Sequence, residues 1–280
     1  MLFSYYRDRI FLSDYPHDDS PMSMKEREDL ADRMIDYLLA ERGEIAAFNV
    51  PYAQKRDIIR GYLNERDPIF FDSELLKEWD HLLWCETKEK GIVDVNSFEY
   101  GNGITMWQGD ITRLNADAIV NAANRSLLGC FIPHHYCIDN VIHSGAGPQM
   151  RADCAKIMAI QGRREKEGNA KVTCAYNLPS RYVLHTVGPL MSGAVTDENR
   201  AVLRSSYISC LDLANELGLK TIAFCCVATG VFGFPNDEAA EIATGTVINW
   251  LHRNRSDMRV IFDVFTDRDK AIYENILKYI

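Results

Sequence analysis

The sequence predicts an α/β protein, a three-layer domain with a mixed, largely parallel sheet, preceded by a helical subdomain. Three observations carry this. From about Asn102 onward, short runs rich in β-branched and aromatic residues alternate with helical patterns. Before that point the apolar residues recur only at helical spacing. Some early and middle strands have no helix between them, so the sheet must be mixed rather than wholly parallel.

The helical part comes first, over residues 1–95. Ser23-Met24-Lys25-Glu26 has the form of a capping box, followed by Leu30, Met34, Tyr37 and Leu38 on one helical face. A second helix is expected from Pro51 to about Glu65, with proline in its first turn. A third fits Ser73 to Lys90, where Leu76, Trp79, Leu82 and Leu83 form the apolar face and Gly91 the stop. His17 and His81 are expected to be surface or packing residues. Over residues 96–280 the expected strands are Ile104 to Gln108, Ala118 to Asn121, Lys171 to Tyr176, Tyr182 to Val187, Thr221 to Val227 and Val260 to Phe265. Helices fit Ile138 to Met158, Glu198 to Leu217, Pro235 to Arg253 and Asp267 to Tyr279.

The 280 residues are 47% hydrophobic and 25% charged, with ample length for a core. The net charge of −9 argues against a general grip on DNA, which needs clustered Lys and Arg. It leaves room for an anionic small ligand held by backbone N–H groups. The first residues lack the apolar stretch and cleavage site of a signal peptide. No window approaches the roughly 18 apolar residues of a membrane span. A cytoplasmic protein is expected, its eight cysteines being thiols or metal ligands rather than disulfides. Cys225 and Cys226, in the apolar run IAFCCV, are expected to be buried strand thiols.

Four segments carry chemistry. In Gln108-Gly109-Asp110-Ile111-Thr112, Gly109 lets the backbone turn and Asp110 offers a carboxylate, either to an exocyclic amine or to its own turn. In Asn121-Ala122-Ala123-Asn124 the small alanines allow close approach, and each amide offers donors and an acceptor suited to sugar hydroxyls. Thr229-Gly230-Val231-Phe232 forms a turn from strand to helix that can present successive N–H groups to a diphosphate. Between Asn124 and the next helix lie Cys130, His135 and Cys137. Two thiols and an imidazole suit zinc, and three protein ligands leave a fourth position open. His134 is an alternative ligand and Cys154 a possible extra one; the His-x-Cys spacing favours His135.

Taken in order, QGDIT, NAAN, IDNVIHSGAGPQMR, YVLHTVGP and VATGVFGFP resemble the macrodomain family, which binds ADP-ribose. The likeness spans roughly Asn102 to Ile280. The glycine run that usually follows NAAN is replaced by Gly129-Cys130-Phe131-Ile132-Pro133-His134-His135-Tyr136-Cys137, and Asn140 stands where the family has glycine. This departure, the helical extension and the run EKGIVD are similar to the zinc-containing microbial branch. The resemblance implies Zn2+ on Cys130, His135 and Cys137. It implies Asp110 and Ile111 at the adenine, and Asn124 with Asn121 and Ala123 at the distal ribose. It places Thr229, Gly230, Val231 and Phe232 around the diphosphate, and Asn124 and Asp139 at the catalytic centre, Asp139 orienting a ligand or water.

The implied activity is zinc-dependent removal of mono-ADP-ribose from a modified protein, O-linked at C1″ of the distal ribose. A non-catalytic ADP-ribose reader and an O-acetyl-ADP-ribose deacetylase are the alternatives. By analogy with that branch, a lipoyl-carrier protein is a candidate acceptor.

Overall fold

The computed structural model describes residues 1–45 and 49–279; residues 46–48 and Ile280, the last residue of the expected domain, lie outside the described residues. The helices of the extension are α1 (Met24–Arg42), α2 (Tyr52–Glu65) and α3 (Ser73–Lys90). The Ser23–Glu26 capping box forms, and Gly43 ends α1 in the left-handed region at φ 66°. Leu30, Met34, Leu38, Trp79 and Leu82 close a core of their own.

The sheet contains β1 (Ile104–Gln108), β2 (Ala118–Ala122), β3 (Ala170–Cys174), β4 (Tyr182–Thr186), β5 (Thr221–Phe224) and β6 (Arg259–Val264), in the order β1-β6-β5-β2-β4-β3. Every pairing is parallel except β3 with β4. Those two strands are joined by seven residues, 175–181, without a helix, and so short a connection forces the antiparallel arrangement. β4 is buried along its whole length, as a strand covered on both faces must be. Helices α4 (Ile138–Ala146) and α5 (Pro148–Gln161) pack on each other and on β2 and β3. Helices α6 (Asp197–Glu216), α7 (Asn236–Asn254) and α8 (Asp267–Leu277) pack in a row, α6 against β3 and β4, α8 against β1 and β6.

Two expectations need correction. The continuous helix over Ile138–Met158 is broken at Gly147, which sits at φ 104°, ψ 170°. Pro148 has no N–H and bars its predecessor from the helical region, so one helix becomes two. The strand expected to reach Val227 ends at Phe224, because the chain leaves the sheet there for a loop with Ala228 at φ 68°.

The first seventeen residues pack on the sheet rather than on the extension's core. Tyr6 is buried, and its hydroxyl accepts from the Val172 N–H of edge strand β3 at 3.0 Å, covering an edge that would otherwise stay unpaired. Asp80 of α3 accepts from Tyr15 Oη (2.6 Å), Gln149 Nε2 (2.6 Å) and Asn177 Nδ2 (2.7 Å), which fastens the extension to the α/β part. His17 stacks on Trp84 at 3.7 Å, and His81 Nε2 meets the Ser20 carbonyl at 2.8 Å. Both are packing residues. Among the described residues no helix is long and apolar enough to cross a membrane.

Candidate active site

A cleft of about 990 Å³ opens at the carboxyl ends of β1, β2, β5 and β6, where open α/β sheets bind ligands. Asp110 and Ile111 line it, as do Ala123, Asn124, Thr229, Gly230, Val231 and Phe232, and Cys130, His135 and Cys137. The four sequence segments therefore meet in one cavity. Helices α2 and α3 form part of its wall through Arg56, Arg60 and Glu86.

Asp110 Oδ1 accepts from both the N–H and the hydroxyl of Thr112, at 3.0 and 2.6 Å. The carboxylate thus shapes its own turn and still lines the cleft. Gly109 is required for a different reason than turning. A Cβ there would lie 2.2 Å from the Trp107 indole, so the ring leaves no room for a side chain. Asp263, on β6, was not foreseen. It is buried beside Asp110, and burial together with that neighbouring carboxylate raises its pKa well above the usual range.

The loop after β5 carries the segment expected at a diphosphate. Thr229 N donates to Cys226 O, Gly233 N to Gly230 O and Phe234 N to Ala228 O. Among the described residues, none accepts from the intervening N–H groups of Gly230, Val231 and Phe232. Three successive N–H groups thus have no acceptor within the loop, and such free donors are what an anion needs.

Asn121 departs from its expected role. It is fully buried and does not line the cleft. Its amide donates to Asp139 Oδ1 at 2.8 Å and meets His185 Nδ1 at 3.1 Å. Asn124 does line the cleft, but its carboxamide is already engaged. The oxygen accepts from Ser126 N (2.8 Å) and Ser126 Oγ (2.5 Å), while the nitrogen donates to Gly129 O (2.9 Å) and Asp139 Oδ2 (3.3 Å). Both asparagines thus hold Asp139 and the start of the cysteine loop. Burial pushes the Asp139 pKa up to about 6 against the opposing bond from Asn121. Beneath it, burial keeps His143 well below its ordinary pKa and takes His185 to about 3, so both imidazoles are neutral at pH 7.

The expected metal ligands converge on the loop itself. The donor atoms of Cys130, His135 and Cys137 all lie within 4.8 Å of one another, with Cys130 Sγ 3.4 Å from His135 Nδ1. Bonds of about 2.0–2.3 Å from zinc place tetrahedral ligands at such separations, so the residues fit the ion. His134 points elsewhere, its Nδ1 3.1 Å from Asp57 of α2. Cys154 groups instead with His143 and His185 in a second, buried cluster. Cys137 Sγ also accepts from Asn140 N at 3.4 Å and caps α4.

Asn140 and Arg60 were not foreseen as site residues. Asn140 Nδ2 donates to Ile132 O, and its Oδ1 accepts from Ser144 Oγ and Arg60. Arg60 also donates to the His135 carbonyl and lies over the Tyr136 ring. No sequence signal links α2 to this loop.

Residues 120–243 match the Macro domain family model. The chain is 44% identical over 263 residues to a protein-ADP-ribose hydrolase of Treponema medium, with 91% of this chain and all of that protein covered. A protein-ADP-ribose hydrolase of Staphylococcus aureus (strain MRSA252) is 46% identical over 221 residues, covering 78% of this chain and 83% of its own. The Trypanosoma brucei macrodomain solved in complex with ADP-ribose superposes with a TM-score of 0.58 at 34% identity, over 66% of this chain and 77% of that one. With the ordered motifs assembled in one cleft, these likenesses show that the chain belongs to the macrodomain family.

Proposed function

We propose that the protein is a hydrolase that removes mono-ADP-ribose from modified proteins, with zinc held by Cys130, His135 and Cys137. The observation that carries this reading is the convergence of those three donors in the same cavity as Asn124 and the N–H groups of Gly230–Phe232. The relatives named protein-ADP-ribose hydrolase support it. In this reading those N–H groups take the diphosphate and the Asp110–Ile111 turn takes the adenine. The distal ribose then lies toward Asn124 and the cysteine loop. Much of the rate comes from this positioning.

The scissile bond joins C1″ of the ribose to an acceptor oxygen. Zinc held by Cys130, His135 and Cys137 would supply a Lewis acid. Asn121 and Asn124 orient Asp139, which in turn orients the ribose or the incoming water. The protein acts in the cytoplasm, consistent with its unpaired cysteines, and a lipoyl-carrier protein is the acceptor suggested by the zinc-containing branch.

The test is release of free ADP-ribose from a mono-ADP-ribosylated protein, with and without a chelator, and after zinc is restored. Chelation should abolish release and zinc should restore it. Tight ADP-ribose binding without release would make the protein a reader. Faster turnover of O-acetyl-ADP-ribose than of the modified protein would make it an ester hydrolase acting on the small molecule.

A further inference from the structure

Among the described residues, Arg60 of α2 has no carboxylate partner, in an acid-rich protein. The chain has 40 acidic and 31 basic residues, and Arg56 and Arg66, its neighbours along the chain, are matched. Arg56 pairs with Glu86 at 2.6 Å and Arg66 with Glu41 at 2.6 Å. Among the described residues, Arg60 forms no ion pair. Its Nε is buried with no hydrogen-bond partner, and its Nη2 makes two long bonds, 3.4 Å to His135 O and 3.3 Å to Asn140 Oδ1. A guanidinium has five donors in a planar fork, so most of its capacity is unspent.

Its position gives that capacity a direction. Arg60 lines the main cleft and also a second cavity of about 330 Å³ between α2 and the α4–α5 corner. Its contacts with the His135 carbonyl and the Tyr136 ring place it beside the cysteine loop in the cleft. Under the hydrolase reading, on which this inference rests, that part of the cleft holds the distal ribose and the acceptor. The bound nucleotide's own anionic group is already provided for by the N–H groups of Gly230–Phe232. A planar cation with free donors on the other side of the scissile bond suits a planar anion.

We propose that Arg60 recognises the acceptor, binding a carboxylate of an acidic acceptor segment across the scissile bond from the ribose. That carboxylate has two possible sources. It is either the acceptor side chain itself, linked to C1″ as an ester, or an acidic residue next to the modified position. In the first case hydrolysis joins a water oxygen to C1″ as the C1″–O bond breaks. The acceptor leaves as a carboxylate, and the proton displaced from water goes to solvent. Arg60 then meets a charge that develops as the bond breaks. In the second case it meets a charge already present when the substrate binds.

The experiment uses the full zinc-loaded chain and ADP-ribosylated peptides linked through either glutamate or serine, each with acidic or neutral neighbours. Arg60→Gln should lower kcat/KM for carboxylate-bearing peptides about tenfold to a hundredfold relative to the serine-linked neutral peptide, the range of a lost charge-assisted bond. If the linked carboxyl is the source, the loss falls on kcat and follows the linkage. If the neighbour is the source, it falls on KM and disappears with neutral neighbours.

Affinity for free ADP-ribose and zinc content should stay within about twofold of wild type, since Arg60 touches neither those N–H groups nor the donor atoms. Arg60→Lys, which keeps the charge and the packing stem, should fall between the two and provides the comparison should the glutamine variant fold poorly. An equal loss on all four peptides, or a parallel loss of zinc, would make Arg60 a loop tether and overturn the proposal. Should the wild type release nothing from any peptide, the hydrolase reading fails on its own. Competition of the same peptides against labelled ADP-ribose then decides Arg60 separately: peptide preference that does not change in Arg60→Gln refutes it.

Discussion

Cys137 has two roles in the structure, and two substitutions separate them. Its Sγ belongs to the group of donors within 4.8 Å of one another, and it also caps α4 by accepting from Asn140 N. Serine is a preferred N-cap, whereas loss of a cap costs about 1 kcal/mol. Cys137→Ser should therefore leave the metal-free protein at least as stable as wild type, and Cys137→Ala should destabilise it by about 0.5–1 kcal/mol. Both variants should lose zinc. An ion present at a hundredfold excess over its dissociation constant adds about 2.7 kcal/mol to the folded state, and at about 2–4 °C per kcal/mol that is a shift of about 5–10 °C in Tm. The assay is elemental analysis of each purified protein, with thermal unfolding recorded before and after chelation. Wild type should hold stoichiometric zinc and lose this Tm increment to the chelator, while both variants should ignore it. ADP-ribose release should follow zinc content, not cap strength. Full metal content and full release in Cys137→Ser would refute the ligand assignment.

Three further outcomes are expected. His185 has a folded pKa lowered to about 3 by burial, so between that value and the ordinary 6.5 the unfolded chain binds more protons than the folded one. Its contribution is complete above pH 6.5 and is lost as pH falls. At pH 5 the loss is about 2 kcal/mol, and urea unfolding at pH 7 and pH 5 should show His185→Asn losing less by about that amount; an unchanged pH dependence would discount this histidine. Gly188→Ala would put a Cβ 2.9 Å from the Ala228 Cβ and 3.1 Å from Val227 Cγ1. Neither atom can rotate away easily, so the loop after β5 must shift, and if that loop holds the diphosphate, calorimetry should show ADP-ribose binding about tenfold weaker; wild-type affinity would count against the loop assignment. Tyr6→Phe removes the acceptor of Val172 N and should cost about 1–3 kcal/mol in urea unfolding while ADP-ribose affinity stays put; an affinity change would show that the sheet edge communicates with the site.

Much of the fold was legible because its strands are buried on both faces and stand as short apolar runs between helical patterns. The sequence misled where one residue governs a junction. Gly147-Pro148 is a visible break signal, yet the apolar pattern continues on both sides of it and hides the break. Asn121 and Asn124 look equivalent in NAAN, but Asn121 lies inside β2 and its side chain is enclosed, while Asn124 has left the strand. The cysteine loop was legible because its donors lie within eight residues. The wall opposite was not, since Arg60 and His135 are 75 residues apart and nothing in an amphipathic helix pattern says which loop its polar face will meet.

Asn140 shows how the two kinds of evidence combine. The sequence marks it as a departure from the family's glycine, without a reason. In the structure it is almost completely buried and bonded on three sides: to the loop at Ile132 O, to its own helix at Ser144, and to α2 at Arg60. A glycine there could make none of these side-chain bonds. The asparagine, the cysteine loop and the helical extension thus depend on one another physically. Removing the extension would strip Arg60 from the His135 carbonyl and leave Asn140 Oδ1 with Ser144 alone. It would also take Asn64 Oδ1 from the His134 N–H and Asp57 from the His134 ring, and the loss of all these contacts together, not of Arg60 alone, would free the loop that carries the proposed zinc donors.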